Sequence, residues 1–243
     1  MPHRFFADTP VSASSIRLPP KEAHHLIHVL RGQVGDEVII FDGSGVEFQA
    51  RVAEIRRSEV ELQVLGRQTV DRELPLHITL GVALPKGDRQ RWLIEKAVEL
   101  GVGNVVPLQT ERGVAQPAPK AVERLARFVI EASKQCGRNR LMQVDSARPL
   151  VDYLAQASPG AARWLAHPGT GPAFSSGQSH AASEILLAVG PEGGFTDLEV
   201  EQAARSGWQI VALGPRILRV ETAALLLSAL AGTGRPLPEG PRR

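Results

Sequence analysis

Apolar and polar residues alternate along Val46-Glu47-Phe48-Gln49-Ala50-Arg51-Val52 and again along Val60-Glu61-Leu62-Gln63-Val64. A period of two belongs to strands with one face in a core and the other in solvent. Arg56-Arg57-Ser58 lies between these runs and reads as a hairpin connection. Residues 37–41 form a third apolar run, closed by Asp42-Gly43-Ser44-Gly45. Ahead of it, residues 19–31 predict one helix, with proline at its start and Gly32 just past its end. Residues 1–72 therefore read as a small β-rich domain.

From Pro75 the rhythm changes. Short apolar runs at 76–84, 104–108, 163–166, 185–189 and 209–213 predict strands. Patterns of helical period at 88–100, 120–136, 196–205 and 221–230 fall between or after them. Strands alternating with helices predict an α/β domain, a parallel sheet covered on both faces, over residues 73–243. Residues 168–178 read as a loop rich in Gly and Pro, and 232–243 as a frayed tail. No internal repeat is visible.

The densest chemical signal is Leu186-Leu187-Ala188-Val189-Gly190-Pro191-Glu192-Gly193-Gly194-Phe195-Thr196-Asp197-Leu198-Glu199. It predicts a strand, a tight turn in which glycine reaches positive φ freely, and a helix opened by the capping box Thr196/Glu199. Phe195 and Val200 stand where a hydrophobic staple closes that helix start. Open parallel sheets place ligands at such turns. A phosphate site would want free helix N–H groups and a cation. The capping box uses two of those donors, and Glu192, Asp197, Glu199 and Glu201 make the turn acidic. Neither a Walker A motif nor G-x-G-x-x-G occurs. A ligand neutral or cationic at that end fits better, and the sulfonium and amino groups of S-adenosylmethionine qualify.

A second stretch, Leu213-Gly214-Pro215-Arg216-Ile217-Leu218-Arg219-Val220-Glu221-Thr222-Ala223-Ala224, again follows a short strand. Together the two resemble the SPOUT RNA methyltransferases, and most of all the family that methylates N3 of a uridine in small-subunit (16S) ribosomal RNA. The resemblance extends over almost the whole chain. His3-Arg4-Phe5-Phe6 looks like that family's N-terminal start, residues 24–31 like its first helix, and Gln135-Cys136-Gly137-Arg138-Asn139-Arg140 matches a central motif. Val220 stands where the family tends to carry Thr. The resemblance implies a trefoil-knotted C-terminal domain (73–243), a PUA-like RNA-binding β-barrel (1–72), and a homodimer. It also implies a cofactor site formed by the backbone of Val189, Gly190, Pro191, Glu192, Gly193 and Gly194, and by Leu213, Gly214, Ile217, Leu218, Arg219, Thr222 and Ala223. His167, in a His-Pro pair after a third strand, is expected to complete it.

Charge and composition refine this picture. The net charge of +2 is too small to announce a nucleic-acid binder, so distribution matters more. Residues 84–148 hold twelve Lys and Arg against seven Asp and Glu, an excess that favours an anionic partner. At 100° per residue Lys120, Arg124, Arg127, Lys134 and Arg138 fall on one helix face, interrupted by Glu131. That face is either solvated surface or a set of phosphate contacts. Arg4, Arg31 and Arg140 join it as RNA-binding candidates. Hydrophobic content of 43% and charged content of 22% are ordinary for a globular protein. The single cysteine, Cys136, excludes an internal disulfide framework and a multi-cysteine metal site. It reads as a buried structural thiol in a reducing cytoplasm. No signal peptide is expected, and no run approaches the ~18 apolar residues of a membrane span.

The uracil N3 proton must leave before N3 can attack a methyl group, and an arginine near the carbonyl oxygens would stabilise the forming anion. Arg219 is the first candidate and Arg4 the second, with Glu221 positioning the arginine or the cofactor amine. A local ion pair is the plainer reading of Arg219 and Glu221. No metal is needed, because the sulfonium is already a good leaving group. His24, His25 and His28 read as packing or surface residues. The last helix is apolar almost all round, so it must be covered on every side, by this chain or by a second subunit. The rivals are a nucleotide hydrolase, a non-catalytic RNA-binding module and a methyltransferase of the ribose 2′-hydroxyl.

Overall fold

The computed structural model describes residues 2–113, 119–156, 160–169 and 182–233. The chain divides into two compact units. The first runs up to Glu73 and takes in Ser133–Leu141; the second takes in Leu74–Ala132 and the described residues from Met142 onward.

In the first unit, β1 (His3–Phe6), β2 (Ser15–Arg17), β3 (Glu37–Phe41), β4 (Val46–Arg56) and β5 (Glu59–Thr69) form one sheet in the order β1-β3-β4-β5-β2. β1 runs parallel to β3 and the other pairings are antiparallel. The alternation read from the sequence is the alternation of burial: Phe48, Ala50 and Val52 face the core with Val60 and Leu62. Both strands of the β4–β5 hairpin extend four or five residues past the alternating runs, into the mixed stretches 53–56 and 65–69. Arg57 turns the hairpin at φ +49°.

The single helix expected at 19–31 is instead α1 (Pro20–His24) followed by a wider turn, His25–Val29. There Leu30 N–H reaches back five residues to His25 O at 3.0 Å. The widened turn ends on Arg31 at φ +54°, a left-handed conformation that glycine usually takes. Gly32 serves a different need: a Cβ there would sit 2.6 Å from Leu26 Cδ2, so only glycine lets the buried Leu26 pack.

The second unit contains β6 (His77–Val82), β7 (Asn104–Gln109), β8 (Gln143–Val144), β9 (Arg148–Pro149), β10 (Ala162–Ala166), β11 (Glu184–Val189) and β12 (Gln209–Val211). The order is β12-β10-β11-β6-β7-β8, with β9 also on β7, and every pairing is parallel. The helices are α2 (Arg89–Glu99), α3 (Pro119–Cys136, its last turn belonging to the first unit), α4 (Leu150–Leu154), α5 (Asp197–Arg205) and α6 (Val220–Gly232). α6 packs on α2, β6 and β11. The fully buried Tyr153 pins β6 to β11: its hydroxyl accepts from Gly81 N–H at 3.1 Å and donates to Leu187 O at 2.9 Å. Burial raises the phenol's pKa far above its ordinary value. A Cβ at Gly81 would stand 2.5 Å from the Tyr153 ring.

α6 is apolar all round in sequence, yet Leu226 is exposed and Leu225 and Leu230 only half-buried. The described residues thus cover one side of it. Residues 170–178 of the expected loop and 234–243 of the expected tail lie outside the described residues. Among the described residues no helix is long and apolar enough to cross a membrane, and no group of three metal-ligating side chains occurs.

Candidate functional site

β11 delivers the chain into the turn Gly190–Gly194. Gly194 N–H closes it on Pro191 O at 2.8 Å, with Gly194 at φ +69°. The capping box forms: Thr196 N–H donates to Glu199 Oε2 at 2.8 Å, and Glu199 N–H to Thr196 Oγ1 at 3.3 Å. Phe195 is buried with Val200 packed in the same cluster, as a staple requires. Glu199 Oε1 also accepts Glu111 N–H at 2.9 Å, tying the loop after β7 to the start of α5. From that loop Arg112 Nη1 donates to Gly193 O at 2.8 Å. On the other side Arg89 Nη2 holds Glu192 Oε1 at 3.0 Å and Arg89 Nη1 stands 3.7 Å from Glu221 Oε2.

Beyond the C-terminal ends of β10, β11 and β12 these loops enclose a cleft of about 400 Å³. The glycine turn, from Val189 to Gly194, lines one wall. Leu213, Gly214, Ile217 and Leu218 line another, with Val220 and Ala223 from the first turn of α6 and His167 from the end of β10. Gly194 and Gly214, both at positive φ, have nothing within 4 Å of where a Cβ would stand. His167 N–H is held by Val211 O at 3.0 Å, while its Nδ1 is buried without a hydrogen-bond partner.

Sequence reasoning put most of these residues in one site, and the structure brings them together. Arg219 and Thr222 are the exceptions: both are exposed and neither lines the cleft. Arg219 stands at the N-cap of α6 with an extended backbone and no side-chain cap hydrogen bond. Glu221 also stays out of the lining, 7% exposed at its side chain and facing Arg89. Arg112, which lines the cleft, was missed altogether, and Arg216, quoted within the second motif, was given no role of its own although it lines the cleft too. They correct the expectation of an acidic wall to a mixed one: Glu192 is paired with Arg89 and Glu199 is engaged in the capping box, while Asp197 stays in the lining beside the two arginines. Thr110-Glu111-Arg112 lies at the end of a predicted strand, the one signal that could have pointed to it.

The basic candidates divide. Arg4 is held inside the first unit, its Nη1 2.9 Å from Glu47 Oε2, its Nη2 2.6 Å from Asn139 Oδ1 and its guanidinium over the Phe41 ring. Arg72 Nη1 reaches Glu47 Oε2 at 3.0 Å and Gly137 O at 2.9 Å. Burial works to raise the Glu47 carboxyl, but the hydrogen bonds from Arg72 and Arg4 outweigh it and hold the pKa below its ordinary value. Arg138, 5% exposed, is paired with Glu73, and Lys134 Nζ sits 3.0 Å from the buried Glu22 Oε1. One continuous phosphate-facing stripe is therefore corrected: Lys134, Arg138 and Arg4 are turned inward by carboxylates remote in sequence. Arg124, which donates to Gln90 Oε1 at 2.9 Å, and Arg127, Arg31 and Arg140 remain exposed. The side chain of Lys120 lies outside the described residues. Cys136 is half-exposed rather than buried.

A two-unit chain, a β-rich first unit and an all-parallel second unit with its cleft between glycine loops, defines a class. The description "RNA methyltransferase domain" matches residues 72–232 and "RNA methyltransferase PUA domain" residues 18–65. The ribosomal RNA small subunit methyltransferase E of Bacillus subtilis is 33% identical over 90% of each chain. That of Synechocystis is 35% identical over 86% of this chain and 70% of its own. The solved structure of the Neisseria gonorrhoeae enzyme bound to S-adenosyl methionine is 33% identical, with a TM-score of 0.88 over 94% of this chain and 96% of that one. The chain belongs to the ribosomal RNA small subunit methyltransferase E family.

Proposed function

We propose that the cleft of the second unit binds S-adenosylmethionine and that the protein methylates N3 of a uridine in 16S ribosomal RNA. The observation that carries the reading is the meeting of both glycine loops in one cleft at the C-terminal ends of β10, β11 and β12, the place where parallel sheets bind ligands. The residues fit the cofactor: backbone, small residues and Ile217, Leu218 and Val220 make the apolar part of the wall, Glu192, Asp197, Arg112 and Arg216 its charged part, and the orphaned His167 Nδ1 offers a polar contact. Bound there, the cofactor supplies a methyl group on a good leaving group, and no metal is required. The chain's own part is to hold the two loops through Arg89 and Arg112, to keep the wall dry, and to place a cation where the uracil anion forms.

Residues 1–72 act as the RNA-binding domain and 73–243 as the catalytic one, with Arg31, Arg124, Arg127 and Arg140 as phosphate contacts. The return of α6 from the edge strand β12 to the central β6 and β11 supports a trefoil knot. The half-covered α6 supports a homodimer in the cytoplasm, where ribosomal subunits are found. Light scattering at micromolar concentration tests the dimer, and a stable monomer removes it.

The deciding experiment is tritiated methyl transfer to undermethylated small subunits with mapping of the product, beside calorimetry with S-adenosylhomocysteine. The expected result is cofactor binding and 3-methyluridine. A methylated ribose, or RNA affinity with no cofactor affinity, overturns the reading.

A further inference from the structure

We propose that Arg112 is the catalytic cation, the residue whose guanidinium meets the carbonyl oxygens of the target uracil and stabilises its N3 anion. The inference rests on the methyl transfer to uridine N3 proposed above and assigns a residue to its hardest step. The step itself is simple to balance. The N3–H bond breaks and its proton passes to water; N3 then bonds to the methyl carbon as the carbon–sulfur bond breaks with its electron pair kept by sulfur. The chain must therefore lower the cost of a negative charge spread over N3 and two oxygens.

Two cations line the cleft, Arg112 and Arg216. Arg219, Arg4 and Arg89 do not. Arg112 is the one fixed in place. Its Nη1 donates to Gly193 O at 2.8 Å, and its stem lies along the turn, with Cδ and Cβ 3.4 and 3.5 Å from where a Gly193 Cβ would stand. Its anchor is a neutral carbonyl. Among the described residues no carboxylate lies within ion-pair distance of it: Glu199 is taken by Thr196 and the Glu111 N–H, and Glu192 by Arg89. The charge is thus oriented without being cancelled, and a guanidinium bonded through one nitrogen keeps a planar set of donors for adjacent oxygens. Donors held before the charge develops need no reorganisation when it does, which is the arrangement that stabilises an anion best.

The alternative is that Arg112 only staples the glycine turn. An RNA hairpin carrying 5-fluorouridine at the mapped position distinguishes the two, because fluorine makes N3 more acidic and reports its ionisation in the ¹⁹F spectrum. Bound to the full-length protein with S-adenosylhomocysteine, the fluorouracil should ionise about 1–3 pH units lower than in free RNA, the effect of a cation in contact. Measured at saturating S-adenosylhomocysteine, Arg112→Gln should abolish that shift, and Arg112→Lys should keep part of it. In methyl transfer Arg112→Gln should lose on the order of 10²–10³ in kcat on uridine and much less on 5-fluorouridine. Equal ionisation in wild type and Arg112→Gln, or equal losses on both substrates, would each overturn the assignment. Mapping that puts the methyl group on another atom sinks the functional reading and this inference with it. 3-Methyluridine formed without an Arg112-dependent shift sinks the inference alone.

Discussion

The turn at Gly190–Gly194 and the segment Gln135–Arg140 are two glycine-bearing motifs at the ends of regular elements, and they do opposite things. The first is open: Gly194 and Gly214 face empty space, and a cleft of about 400 Å³ lies against them. The second is closed: Gly137 O accepts from Arg72, Asn139 Nδ2 donates to Glu47 and Val70 O, and Arg138 is buried on Glu73. Both have a left-handed glycine. Composition suggested the reverse emphasis, an acidic turn and a basic, RNA-facing segment. What separates them is the position of charges distant in sequence. Arg89 and Arg112 come to the turn across 103 and 81 residues. Glu47 and Glu73 come to the segment across 92 and 65.

The largest effect should follow from breaking the closed motif. Arg138→Ala leaves Glu73 half-buried without its partner, and uncompensated buried carboxylates are among the costliest defects. Urea unfolding should show a loss of about 3 kcal/mol. A loss within 0.5 kcal/mol, with RNA affinity reduced instead, would return Arg138 to the binding face.

The two glycines sharpen the comparison further. Gly137→Ala and Gly194→Ala each force a side chain into left-handed backbone, at about 1–2 kcal/mol. Only Gly194→Ala also fills cleft volume, so only it should weaken S-adenosylhomocysteine binding, by about tenfold or more in calorimetry. Equal binding by both variants would place the ligand elsewhere.

The same contrast explains how much was legible. Strand–turn–helix at the glycine loop is local chemistry, written in Pro191, Gly193-Gly194 and the Thr196/Glu199 box, and the parallel sheet followed from the alternation of elements. The elements missed were too short to carry a period: β1, β2, β8, β9 and the five-residue α4. Their stability comes from tertiary contacts, such as Tyr153 on β6 and β11. Arg112 was missed because its role depends on the fold bringing β7's loop to β11's. Lys134 and Arg138 were read as a face because helical spacing shows which side chains share a side, not whether a carboxylate waits there.

A pH titration of stability should find the closed motif before the open one. Glu47 has a folded pKa below its ordinary 4.5. Its ion pairs therefore add stability that is fully present above that value and lost as pH falls through the lower, folded one. Glu47→Gln should flatten the unfolding free energy in that acid window and leave its slope unchanged near neutrality. An undiminished acid slope in Glu47→Gln would assign it to other carboxylates.

The smallest effect on stability should come from the cations that stayed outside. Arg124 and Arg127 are exposed on α3, and neither has a carboxylate partner among the described ion pairs. Replacing either by alanine should change stability by no more than about 0.5 kcal/mol. If they touch phosphate, each replacement should flatten the slope of log K for RNA against log salt by about 0.7–0.9. Arg138→Ala, measured in the same way at a temperature where it remains folded, should leave the slope unchanged, because a guanidinium buried on Glu73 releases no counterion from RNA. Unchanged slopes for Arg124 and Arg127 would take α3 out of the interface and leave Arg31 and Arg140, in the first unit, as the cations that carry the RNA.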